Sequence, residues 1–113
     1  MFNKLIIFGI LMLVPFKANH VRNDVKKEKF TLLQINAKWN RANDVKIPQI
    51  PNCNIQYAFL EDQKESFRKS VNYVPIVVLY NDNHAVQQWS ADISFKLKIS
   101  REEILNVINR IEK

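Results

Sequence analysis

From Phe30 onward the chain runs in short blocks of apolar and polar residues whose period changes from block to block. "FTLLQIN" (30–36) is apolar between polar flanks and predicts a largely buried strand. "AKWNRANDVKIPQI" (37–50) reads as a helix opening after that strand. Asn40 is placed to cap it by accepting a backbone N–H bond. Val45, Ile47 and Ile50 supply an apolar side, Pro48 kinks the helix from inside, and Pro51 ends it. "IQYAFL" (55–60) predicts the next strand. Asp62 and Glu65 have capping-box spacing and open a helix through Val71, with Phe67 and Val71 on one face. "PIVVLYN" (75–81), β-branched and apolar throughout, is the clearest strand. "NDNH" (81–84) is a turn, and "AVQQW" (85–89) returns antiparallel.

Strict alternation follows in "DISFKLKIS" (92–100): Ile93, Phe95, Leu97 and Ile99 against Ser94, Lys96 and Lys98. Period two predicts an extended edge segment whose lysines face water and discourage association. Ser100 and Glu103 form a further capping box, and Ile104, Leu105, Ile108 and Ile111 make one apolar helical stripe. Two strands joined through a helix imply a parallel pair, and the hairpin adds an antiparallel one. The expected fold class is therefore α/β, a mixed four-stranded sheet flanked by helices. One domain accounts for 113 residues.

Ahead of it, Leu5 to Phe16 is an unbroken apolar run after a single early charge, Lys4. Twelve residues rising about 1.5 Å each fall short of a roughly 30 Å hydrocarbon core. A signal peptide over 1–19 fits better than a membrane span. Ala18 is small but Phe16 two places earlier is large, which keeps an uncleaved anchor as the alternative. Residues 20–29, "HVRNDVKKEK", read as a polar tether, leaving 30–113 as the domain. The expected location is outside the cytoplasm, in a periplasm or cell envelope or beyond it.

Charge and cysteine usage narrow the function classes. Residues 1–19 carry Lys4 and Lys17, so without them 17 basic residues fall to 15 against 11 acidic ones, about +4. Acids and bases are interleaved almost everywhere, and export adds to the case against nucleic acid as a partner. A membrane enters only through an uncleaved N-terminal segment. The single cysteine, Cys53 in the polar loop "PNCNI", cannot form an intramolecular disulfide. His20, His84 and Cys53 lack ligand-type spacing, so no metal site is expected. No cofactor is expected either.

The order of elements, with Trp39 before a four-residue turn, Pro48 five residues beyond it and "YVP" (73–75) opening the third strand, resembles the thioredoxin family. The similarity covers roughly Thr31 to Ile111 and includes "SREEILNVINRI" as the family's last helix. It implies a thioredoxin-like fold truncated at the N-terminal strand and helix. The first helix and its following loop are short, and the family's glycine-bearing loop reads "SADIS". In family members the turn reads Trp-Cys-Gly-Pro-Cys; here it reads Trp39-Asn40-Arg41-Ala42-Asn43. The family's cis-proline falls on Pro75, preceded by Val74, and its buried carboxylate on Gln34.

Disulfide exchange needs a thiolate, and a second thiol to resolve the mixed disulfide. Amides at Asn40, Asn43 and Gln34 leave no catalytic residue, so the resemblance implies a redox-inactive protein. The expected function is binding of an extended polypeptide or partner protein at a groove of Trp39, Asn40, Arg41, Asn43, Val74 and Pro75. In that groove a peptide strand pairs with the backbone of Val74. For Trp39 the alternative is packing on the sheet edge; for Arg41 it is a solvated side chain. Two other functions compete: a monothiol redox protein acting through Cys53, and a structural subunit docking by its 92–99 edge segment.

Overall fold

The structure, a computed structural model, describes residues 28–112. The signal peptide expected at 1–19 and all of the expected tether except Glu28 and Lys29 lie outside the described residues. Four strands, β1 (Phe30–Asn36), β2 (Cys53–Phe59), β3 (Ile76–Asn81) and β4 (His84–Ser90), form one sheet in the order β2-β1-β3-β4. β1 runs parallel to β2 and antiparallel to β3, and β3–β4 is a hairpin. Helix α1 (Glu65–Ser70) and helix α2 (Arg101–Ile111) flank the sheet. This is the α/β, mixed four-stranded arrangement expected from the sequence.

Alternation along β1 sorts the core into two layers. Phe30 and Leu32 point with Val77 and Leu79 toward Ile104, Val107 and Ile108 of α2, where Val45 and Ile50 complete the cluster. Leu33 and Ile35 point the other way, with Ala58, Ile76 and Val78, onto Phe67 of α1. Ser100 caps α2 through the expected box: its Oγ accepts from the Glu103 N–H at 3.1 Å.

Three expectations are corrected. No α-helix follows β1: a 3₁₀ helix (Lys38–Asn43) closes, and residues 44–50 run without regular structure. Asn40 is not its cap; its side chain turns inward and is buried. The tie that replaces helical bonding is Gln34, fully buried, whose Oε1 accepts from Val45 N–H at 2.8 Å and whose Nε2 donates to Val45 O at 2.9 Å. Second, α1 has no capping box. Asp62 belongs to a separate 3₁₀ turn (Leu60–Asp62), and Lys64 precedes the helix without a side-chain cap. Third, 92–100 is not a strand. Leu97 and Ile99 do pack on the core between exposed Lys96 and Lys98, but without a ladder, and Ile93 is 76% exposed.

Candidate functional site

The 3₁₀ turn sits at the C-terminal end of β1 on a connected set of amides. Asn36, the last residue of β1, uses its whole hydrogen-bonding capacity. Its Oδ1 accepts from Ala37 N–H at 2.9 Å and Asn40 Nδ2 at 3.0 Å. Its Nδ2 donates to Asn40 O at 3.0 Å and Asp44 Oδ1 at 2.6 Å. Asn40 extends the set across the molecule: the two N–H bonds of its Nδ2 are shared among Asn36 Oδ1, Val74 O at 3.2 Å and Phe95 O at 3.1 Å. Asn43 Nδ2 donates to Asn40 Oδ1 at 2.8 Å. Buried amides of this kind are stable only when satisfied, and once satisfied they fix the turn in one position.

Val74–Pro75 is a cis peptide bond, and both residues are buried. Asn40 thus holds the carbonyl that an added peptide strand would use. Above this layer lies an aromatic surface. Trp39 is 66% exposed and meets Phe95 edge to face at 5.0 Å between centroids. Tyr73 meets the same ring from another side at 5.6 Å. Phe95 is presented by a tight turn in which Asp92 Oδ1 accepts from Ser94 N–H at 2.8 Å and Ser94 Oγ at 2.5 Å. Those bonds hold the Asp92 carboxyl below its ordinary range. Phe95 itself has φ 59°, a left-handed conformation uncommon for a bulky residue.

On the other side of the turn the Arg41 guanidinium lies 5.9 Å and Lys38 Nζ 5.3 Å from the Phe59 ring centroid. A cavity of about 230 Å3 opens there between Asn36, Arg41, Asp44, Tyr57, Ala58 and Phe59. Lys38 N–H donates to the Glu61 carboxylate at 3.0 Å, tying the turn to the Leu60–Asp62 3₁₀ turn that follows β2.

Of the residues expected at the groove, the structure brings Trp39, Asn40, Asn43, Val74 and Pro75 together, while Arg41 faces the Phe59 side. Asn36, Tyr73 and Phe95 were not anticipated. Asn36 had one signal, a polar residue ending an apolar run. Phe95 had none, because its alternation pointed to an edge strand.

Cys53 is not in a polar loop. It is the first residue of β2, half-buried against the core and paired with Phe30 at the far end of β1 from the turn. Seven residues at about 3.3 Å put it on the order of 20 Å away. Burial raises its thiol pKa from 9.0 to about 11.

Compared with protein-family models, curated proteins and solved structures, the chain finds no match.

Proposed function

We propose that this protein is an exported, thioredoxin-like domain that binds an extended polypeptide segment of a partner protein and carries out no dithiol exchange. The strand order β2-β1-β3-β4, with one parallel and two antiparallel pairings, supports the thioredoxin-like reading. The observation that carries the binding function is the exposed Trp39, held edge-on by Phe95 with Tyr73 on the same ring. Three aromatic rings fixed on one surface offer large contact area at little entropic cost on binding. The turn beneath supplies rigidity and no nucleophile. Because Val74 is buried beneath the turn and Asn40 engages its carbonyl, the partner lies on the exposed aromatic rings.

The probe is a reduced, S-carboxymethylated polypeptide, which stays unfolded and has no thiol to exchange. It should bind the wild-type chain, and Trp39→Ala should weaken binding at least tenfold. Tyr57→Ala, which removes an exposed aromatic elsewhere, should leave it unchanged. Equal binding by the Trp39→Ala chain would refute the assignment of the surface.

A further inference from the structure

A cavity of about 200 Å3 opens beside the aromatic surface, between the segment that leads into β3 and the end of β4. Val71, Ile76 and Ala91 give it apolar walls, and Tyr73 forms a further side. Tyr73 also meets Phe95 at 5.6 Å between ring centroids, so one residue belongs to both the cavity and the surface. The two segments are tied together there. Ala91 N–H donates to Pro75 O at 3.0 Å, and the chain beyond Ala91 enters the Asp92–Ser94 turn that presents Phe95.

We infer, on the reading that Trp39, Phe95 and Tyr73 form the binding face, that this cavity is its side-chain subsite. It takes one large, uncharged, apolar side chain of the bound polypeptide. The lining decides that class. No residue lining the cavity is charged, so a Lys, Arg, Asp or Glu side chain would lose water there and meet no counter-charge in the lining. Ser70, Gln88 and Ser90 are engaged within the chain: Ser70 Oγ donates to Phe67 O at 2.6 Å, and Gln88 Nε2 donates to Ser90 Oγ at 2.9 Å. Size agrees: a cavity of about 150 Å3 admits a benzene ring, and one of about 200 Å3 accepts a leucine, methionine or phenylalanine side chain.

An extended segment engages the rings and the cavity together. Its side chains return to the same face every second residue, about 7 Å apart. A side chain resting on Phe95 therefore brings the one two residues further on to Tyr73, 5.6 Å away, where the cavity opens. The polypeptide selected is an extended segment with apolar side chains at positions i and i+2.

The test titrates the full chain with blocked amino-acid amides as side-chain probes and follows the methyl resonances of Val71, Ile76 and Ala91. N-acetyl-phenylalanine amide and N-acetyl-leucine amide should shift them saturably, and N-acetyl-lysine amide should not. Ser70→Trp and Ser90→Trp, at two exposed lining positions, each fill the cavity. Either should abolish the shifts and weaken binding of the S-carboxymethylated polypeptide about tenfold, the worth of one buried apolar side chain. Having both keeps the test decisive if one fails to fold. Methyl resonances that ignore the apolar amides, equal shifts with the lysine amide, or polypeptide binding unchanged by filling would overturn the subsite. The two readings fail separately. If only the subsite is wrong, Trp39→Ala still weakens polypeptide binding; if only the surface is wrong, Trp39→Ala leaves it intact while the filling variants weaken it.

Discussion

Asn40 Nδ2 lies 3.2 Å from Val74 O, joining the turn after β1 to the cis bond that opens β3. The same nitrogen reaches Phe95 O, so one carboxamide pins three chain segments that are far apart in sequence. Val74 is also buried, so its carbonyl belongs to the interior of the fold. The turn is thereby an internal brace, and its exposed product is the Trp39–Phe95 surface.

Asn40→Ala should therefore cost stability and ligand contact together. It strands the carbonyls of Val74 and Phe95 and one acceptor position on Asn36, and an unmade buried hydrogen bond costs about 1–3 kcal/mol. Urea denaturation should show a loss of about 2–3 kcal/mol, the groups being neighbours and their costs less than additive. Near-ultraviolet dichroism should show Trp39 losing its fixed environment. A loss below about 0.5 kcal/mol, within the spread of ordinary surface substitutions, would mean the network is not a brace.

Gln34 explains why an amide occupies a position at which the thioredoxin resemblance implies a carboxylate. Its two ends serve Val45 N–H and Val45 O at once, and an ionised carboxylate has no donor for the second. Gln34→Glu should release the 44–50 segment, with roughly 2 kcal/mol of stability lost to the unpaired carbonyl. Hydrogen exchange at Ile47 and Ile50 should accelerate, while β3 amides keep their protection relative to global unfolding.

The parts of this fold that were legible in the sequence are those specified locally. β1 is mostly apolar between polar flanks and lies at the expected residues; β3 is β-branched and lies within one residue of the expected span. α2 announces itself by Ser100 and Glu103, and the structure contains that box. The rest depends on partners distant in sequence. Asn40 looks like a helix cap because a cap needs the same short carboxamide, and only Val74 and Phe95, 34 and 55 residues away, turn it inward. At 92–100 the alternation reports an extended chain with one half-buried side, which Leu97 and Ile99 satisfy by packing. Period two carries no information on whether a neighbouring strand is there to pair. The left-handed Phe95 has no signature, since its conformation is imposed by the Asp92–Ser94 turn.

Alkaline pH should destabilise the fold through two buried groups. Burial raises Cys53 to about 11 and Tyr80 to about 12, so the unfolded chain releases each proton first. Stability is complete below the unfolded values of 9.0 and 10.0 and falls as pH rises toward the folded ones. Cys53→Ser should flatten the decline between pH 9 and 11, and Tyr80→Phe that between 10 and 12. The Tyr80 hydroxyl is buried with no hydrogen-bond partner, so Tyr80→Phe should be neutral or stabilising by about 1 kcal/mol at pH 7. A chain whose stability stays constant to pH 11 would contradict the assignment. The raised thiol also predicts slow alkylation of Cys53 at neutral pH and no reduction of insulin disulfides.

The most direct measurement of the account's central claim is residue-resolved. The isotope-labelled full chain is titrated with the S-carboxymethylated unfolded polypeptide and followed by amide and indole resonances. Binding at the aromatic surface predicts shifts at the Trp39 indole N–H and the amides of Tyr73 and Phe95, with Cys53 and its β2 neighbours unmoved. Shifts centred on β2, or none at a concentration that saturates the binding assay, would contradict the account.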